Sequence, residues 1–385
     1  MAKKINVLAE LLKCALFGEV VNDYVKTQTS ENAKLLYNVS LRHDIAHLVE
    51  YAIKKSGISV AGDVADEFVK QQVMAVMRYE NLSIALKNIS GLFEKEKIPF
   101  IALKGAVIRD FYPEPWMRTS CDIDILVREE DLVRAKNAVV EELGFTCNKK
   151  HGYHDISLYS KEDVHLELHF SVKENIDDID RLLEKVWEHS SPKNDGSYEY
   201  VMTNEFFMFH TIAHMSYHFR CGGCGIRSYI DLLLLQRIMK YDEAKLLQML
   251  ECCSIRRFYE VSLRFLDVWF SDAEHDEVTR SVHDYLLGGS AYGKQSDAIA
   301  IKKGRKGMAS YVLGRIFIPY EKLCITYPSL KGKRYLTPLY QIRRWIRVLL
   351  NKRILDTPDE ISQAAKVDNQ KIDSLEELFV KVGLK

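Results

Sequence analysis

The stretch "IALKGAVIRDFYPEPWMRTSCDIDILVRE", residues 101–129, decides the fold. Within it Asp122 and Asp124 stand one residue apart in an otherwise apolar run of Ile123, Ile125, Leu126 and Val127. On a strand side chains alternate, so the two carboxylates share one face while Ile123 and Ile125 take the other. A buried segment carrying two carboxylates on one side needs a cation or a basic partner beside them.

The flanking sequence supplies regular elements. "IPFIAL" (98–103) predicts a short strand, and Gly105 to Tyr112 a helix opened by Lys104-Gly105. "REEDLVRAKNAVVEELG" (128–144) is an amphipathic helix with acids in its first turn and Gly144 at its end. "HDISLY" and "VHLELHF", joined by the polar "SKED", predict a hairpin. In its second strand His165, Glu167 and His169 share one face, and Val164, Leu166, Leu168 and Phe170 the other. Two neighbouring strands can therefore present Asp122, Asp124 and Glu167 in one cleft.

Three carboxylates at close quarters repel unless divalent cations neutralise them. Mg²⁺ (or Mn²⁺) suits, being a hard ion commonly held by one or two carboxylates plus substrate phosphates. Two such ions roughly 3.5–4 Å apart assist in-line displacement at phosphorus. The Lys104 charge and the amides around Gly105 suit a polyphosphate, and Arg118 can add a bidentate contact. A solvated strand end or an ion-paired D-x-D is the plain alternative, as is a solvated loop arginine for Arg118.

The order strand, "LKG", helix, "R…DIDILV", helix, hairpin with "LELH" resembles the DNA polymerase beta-like nucleotidyltransferase superfamily. The closest resemblance is to its bacterial uncharacterised nucleotidyltransferase family, specific over about residues 98–172. Weaker likeness continues through "HTIAHMSYHF" (210–219) and "IRSYIDLLLL" (226–235) to 316–347. The resemblance implies that Asp122 and Asp124 ligate two metals and that Glu167 completes the catalytic one. It places Gly105 at the phosphate-loop glycine and Lys104 at the first motif position, where most members have Gly-Gly or Gly-Ser. It further implies NMP transfer from an NTP to an acceptor hydroxyl on a protein, RNA, sugar or other small molecule, with release of pyrophosphate. A catalytically degenerate nucleotide-binding or interaction protein retaining the fold is the competing reading. The complete acidic triad argues against it and the altered motif for it.

The expected class is α+β: a small mixed-sheet core of this kind framed by helical regions. Expected divisions are an N-terminal helical region 1–96, the core 97–175, an accessory helical domain 176–288, and a C-terminal loop and helices 289–385. The Gly-rich basic segment 289–310 reads as a mobile loop, and the polar tail after about Leu355 as loosely attached.

Lys+Arg and Asp+Glu both number 54, so the net charge is zero, which argues against broad attraction to nucleic acid or membrane. The first residues are too charged for a secretory signal, and no apolar run approaches a spanning length. Eight cysteines without such a signal fit reduced thiols. The expectation is a cytoplasmic protein with no membrane partner.

Other clusters leave alternatives open. His210, His214 and His218 share a helix face and precede Cys221 and Cys224 at C-x-x-C spacing. They read as zinc ligands, as lining of the cleft, or as packing. Asp231 is expected to pair with Arg227 or to reach the cleft. "RHDIAH" (42–47) reads as part of a structural helix. His165 and His169 line the cleft or are half-buried. "KKGRK" (302–306) and "IRRWIR" (342–347) are solvated basic faces or nucleic-acid contacts.

Overall fold

Helix α5, Asp63–Lys95, buries Phe68, Ala75, Leu82 and Ile89 at seven-residue intervals along one seam. In the computed structural model, which describes residues 6–151, 155–271, 273–291, 293–304, 313–314, 316–350 and 368–385, this helix joins the two main cores. At about 1.5 Å per residue it runs roughly 50 Å. Phe68 enters a core shared with helices α1 (Val7–Phe17) and α4 (Ala46–Lys55). Leu82, Ile89, Leu92 and Phe93 enter a second core beneath a sheet. Helices α2 (Asp23–Glu31) and α3 (Ala33–Arg42) complete the N-terminal part, which is helical as its periodicity predicts.

The sheet has seven strands in the order β3-β4-β5-β2-β1-β7-β6. They are β1 (Phe100–Ala102), β2 (Asp122–Val127), β3 (Thr146–His151), β4 (Asp155–Tyr159), β5 (His165–His169), β6 (Ser190–Pro192) and β7 (Glu199–Met202). The expected hairpin is β4–β5, antiparallel with Ser157 opposite Glu167. Strand β2 runs antiparallel to β1 but parallel to β5. One sheet face carries Ile123, Ile125, Val127, Leu166 and Leu168 into the core with α5 and α7 (Leu132–Leu143). The other carries Asp122, Asp124 and Glu167 toward the later helices. The fold is thus α+β with a mixed sheet and helical flanks, as expected.

That second face meets α9 (Asn204–Arg220) and α10 (Ile226–Ile238), and α12 (Arg256–Phe270) packs on α10; the buried residues of all three share one core with Ile101, Leu103 and Leu126. Helix α10 buries Leu232 through Leu235 consecutively, as a helix surrounded on all sides does. Between β5 and β6 lies α8 (Asp177–Leu183). Helices α11 (Glu243–Cys252) and α13 (Glu277–Leu287) flank α12.

Three expectations change. Strands β6 and β7 come from beyond residue 175, so the sheet crosses the boundary expected there. They are only three and four residues long, and β7 is recruited by parallel pairing with β1 rather than by any local pattern. Within the expected loop 289–310, Gln295–Lys303 is helix α14, whose Ile299 and Ala300 pack on Ile372 and Leu375. Residues 305–310 lie outside the described residues. The polar tail ends in a helix, Asn369–Lys381, that buries Ile372, Leu375 and Leu378, a three-residue repeat that polar neighbours dilute. Residues 351–367 lie outside the described residues.

Glu94, near the end of α5, accepts hydrogen bonds from Ser197 Oγ (2.5 Å) and from the amides of Tyr198 and Glu199 (each 2.9 Å). It thereby clamps the turn that brings β7 to β1. Partial burial opposes its ionisation, but these donors outweigh burial and hold its carboxyl below the usual range. Glu94→Ala should lower unfolding free energy in urea by about 2 kcal/mol at neutral pH. Because the folded-state value is depressed, the difference between wild type and variant should shrink as pH falls through the carboxylate range.

Candidate nucleotidyl-transfer site

Parallel registry sets Asp124 beside Glu167 and Asp122 beside His165. The two groups Asp122, His165, Glu167 and Asp124, Glu167, His169 each hold potential ligand atoms within 4.8 Å of one another. Asp124 is 12% exposed at its side chain and Glu167 29%. Ser120 Oγ donates to Asp122 Oδ1 at 3.0 Å. His169 Nε2 lies 2.9 Å from Asp124 Oδ1 and 3.4 Å from Glu167 Oε2. Tyr159 stacks on His165 with ring centroids 4.6 Å apart.

The charges in this cleft are unequal. Burial, then the neighbouring Asp124 charge, push the Asp122 carboxyl up. Burial acts the same way on Asp124, but the Lys104 ammonium and the His169 hydrogen bond reverse it and hold that carboxyl well down. Burial would lower His169, yet hydrogen bonds to Asp124 and Glu167 raise it to about 9. An imidazolium thus serves as counter-ion to two carboxylates. His165 Nε2 is buried without a hydrogen-bond partner beside Asp122 and Glu167. Three carboxylates and an orphaned ring nitrogen make a donor set that fits a hard divalent cation.

Lys104 lies between the carboxylates and α9. It adopts φ 41°, a left-handed conformation that costs a non-glycine residue of order 1–3 kcal/mol. Neither its amide nor that of Gly105 meets an acceptor among the described residues. The helix expected over Gly105–Tyr112 is one α-turn, α6 (Gly105–Ile108), followed by a 3₁₀ turn, Arg109–Phe111. A Cβ on Gly105 would stand 3.2 Å from Ser120 Oγ, so glycine lets the loop before β2 close on this turn.

That loop is pinned by groups remote in sequence. Arg118 Nε donates to Asp231 Oδ1 at 2.8 Å, and Tyr112 Oη donates to the same oxygen at 2.7 Å. Thr119 Oγ1 donates to Asp44 Oδ2 at 2.8 Å, and Arg227 Nη1 also bonds that oxygen. His47 Nε2 donates to the Met117 carbonyl at 2.7 Å. Asp231 therefore pairs with Arg118, not with Arg227, because α10 turns its acidic side toward the loop. Arg118 borders the cleft beside Lys104, but its Nε is committed to Asp231 and its side chain is 10% exposed. "RHDIAH" is not continuous helix: Asp44, at φ 55°, sits in the break between α3 and α4, where its carboxylate braces Thr119 and Arg227.

Two of the α9 histidines, His214 and His218, line the cleft, while His210 is buried. His214 Nδ1 donates to Glu174 Oε1 at 2.5 Å, and His218 Nε2 lies 3.0 Å from His214 Nε2. Burial, then the Lys104 charge, depress His210 to about 3 and hold His214 well below its usual value. Among the described residues they form no metal-spaced group with Cys221 or Cys224. The "CGGCG" glycines have another cause. Lys294 N donates to the Gly222 carbonyl at 2.8 Å, a Cβ on Gly225 would stand 2.5 Å from Ala291 Cα, and Gly222 adopts φ 127°. Two chain segments cross there.

The comparisons with known proteins agree with this geometry. A family model described as "Uncharacterised nucleotidyltransferase" matches residues 29–271. The chain belongs to this family. Neither a curated protein nor a solved structure matches it. The family's match begins in α2 and ends just after α12, so it takes in the sheet, the acidic cluster and the bracing Asp44 and Asp231 together. Glu174, Ser120 and Tyr112 gave no sequence signal, since each matters only through a partner brought close by folding.

Asp231→Ala should destabilise the protein by about 3–5 kcal/mol in urea unfolding, because it strands the buried Arg118 guanidinium. The double replacement Arg118→Met/Asp231→Leu should recover most of that loss. A cost below 1 kcal/mol for the single variant would show that the pair does not hold the loop.

Proposed function

We propose that the chain is a metal-dependent nucleotidyltransferase that moves a nucleoside monophosphate from an NTP to an acceptor hydroxyl and releases pyrophosphate. The observation that carries this reading is the β2–β5 register, which sets Asp124 beside Glu167 on the face shared with Asp122. Asp122, Asp124 and Glu167 would hold two Mg²⁺ (or Mn²⁺) ions. Such a pair, when bound, supplies charge stabilisation to both the attacking and the leaving oxygen of an in-line displacement.

The remaining work falls to the chain's own groups. Lys104 and the amides of Lys104 and Gly105 would bind the β- and γ-phosphates. Arg118, held by Asp231, would position the Met117–Ser120 loop at the edge of the phosphate site. Glu167, the more exposed partner of Asp124, would take the acceptor proton. The half-buried His214 and His218 of α9 would line the cleft wall and limit water there.

Incubating the protein with each alpha-labelled NTP and Mg²⁺ or Mn²⁺ tests the reading. Label should appear on the protein itself, on cellular RNA or in a small-molecule extract, and thus give the acceptor class. Transfer should fall at least about a thousandfold in Asp122→Asn/Asp124→Asn, several kcal/mol of transition-state stabilisation. Absence of both transfer and metal-dependent NTP binding would sink it, whereas binding without transfer would favour the degenerate reading.

Metal linkage gives a separate check. Added Mg²⁺ should raise the unfolding temperature of the wild type, by mass action on the folded state, and leave Asp122→Asn/Asp124→Asn unmoved. Without metal, Asp122→Asn alone should be more stable than the wild type, since burial and the Asp124 charge push that carboxyl up. Asp124→Asn alone should be less stable, since it strands Lys104 and His169.

A further inference from the structure

Residues 322–350 contain seven lysines and arginines and not one aspartate or glutamate, in a chain whose charges balance at 54 of each sign. This stretch lies beyond the residues matched by the family model. It includes the helix Thr337–Leu350, which has two distinct sides. On the inner side Gln341 Nε2 donates to the Ile318 carbonyl at 2.6 Å and Trp345 Nε1 to the Ile316 carbonyl at 2.9 Å. These bonds fasten the helix over a small core of Leu323, Tyr327 and Leu330.

The outer side is apolar and exposed. Leu339, Ile342 and Ile346 recur at three- and four-residue spacing and are 60%, 48% and 51% exposed. Phe317, 52% exposed, adds apolar surface beside the helix, packing edge-on against Trp345 at 5.2 Å. Arg343 and Arg347, one turn apart and both exposed, run alongside it. Lys331, Lys333 and Arg334 are exposed just ahead of the helix.

Charge complementarity selects the occupant. A nucleic acid would answer the arginines but leave the Leu-Ile stripe in water. A second copy would cover the stripe but bring two arginine rows together. An anionic lipid surface satisfies both, with headgroup phosphates for the basic residues and the acyl boundary for the apolar stripe. We propose that the Thr337–Leu350 face docks on the surface of an anionic phospholipid membrane. Among the described residues no helix is long and apolar enough to cross one, so the helix lies in the interface plane. The expectation of no membrane partner rests on net charge, a sum over the whole chain that does not describe this patch.

Sedimentation of the full chain with sucrose-loaded vesicles tests the proposal without requiring catalysis. The protein should sediment with phosphatidylglycerol–phosphatidylcholine vesicles and not with phosphatidylcholine alone, and salt should release it. Arg343→Glu/Arg347→Glu and Ile342→Ser/Ile346→Ser should each reduce the bound-to-free ratio at least about tenfold. Ile342, Ile346 and Arg347 are exposed, so unfolding followed by circular dichroism should be unchanged in the isoleucine variant. Arg343 also lies over the Tyr327 and Tyr340 rings, so Arg347→Glu with Lys331→Glu, both at exposed positions, should weaken vesicle binding with unfolding unchanged. Failure to bind anionic vesicles, or equal binding by the variants, overturns the proposal. RNA binding lost in the arginine variant without vesicle binding would reassign the face to nucleic acid. A dimer seen by light scattering and lost in the isoleucine variant, again without vesicle binding, would reassign it to self-association.

Discussion

Parallel pairing of β2 with β5 holds Asp124 next to Glu167 while burying Ile123, Ile125, Leu166 and Leu168 on the reverse of the same two strands. The two faces are inseparable, because a slip of one residue would send the carboxylates into the apolar core. Each buried aliphatic side chain contributes about 1.5–3 kcal/mol. Together they outweigh the mutual repulsion of the acids and fix them at a spacing that an unconstrained chain would avoid. The His169 imidazolium then offsets part of the remaining charge.

The acids also need a fixed approach. The Met117–Ser120 loop leads into β2 and presents Ser120 to Asp122. It is held by His47 and Asp44 from the N-terminal helices and by Asp231 from α10. Three parts of the chain therefore meet at one loop, and the sheet and the helices that cover it share one core. This is why the divisions near residues 96 and 175 suit the sequence's texture better than its packing. The bracing network is also where a carboxylate distant from the acidic cluster can act on the site, through loop position alone.

Much of the candidate site was legible in advance because alternation on a strand is local. Asp122–Asp124 and His165–Glu167–His169 each declare a shared face from spacing alone, and the hairpin connecting β4 to β5 follows from its polar turn. Partnerships over long separations were not legible. Asp231 and Arg118 stand 113 residues apart, and Arg227, one helical turn from Asp231, is the nearer cation by sequence. The direction of α10 decides between them. Strands β6 and β7 escaped for a related reason: three or four residues are too few to carry a periodic signal, and pairing makes them strands, β7 on the edge of β1 and β6 on β7.

By itself, the sequence determined which side chains share a face, which segments are helical, and that a polar face with three carboxylates lies within an apolar core. These depend on backbone periodicity over a few residues. Tertiary structure alone decided that β5 adds parallel to β2, that Asp231 and Asp44 brace the loop, and that His214 meets Glu174. It also left the Thr337–Leu350 stripe facing outward. Those outcomes depend on packing between segments far apart in the chain, where burial and charge pairing act only once the cores have formed.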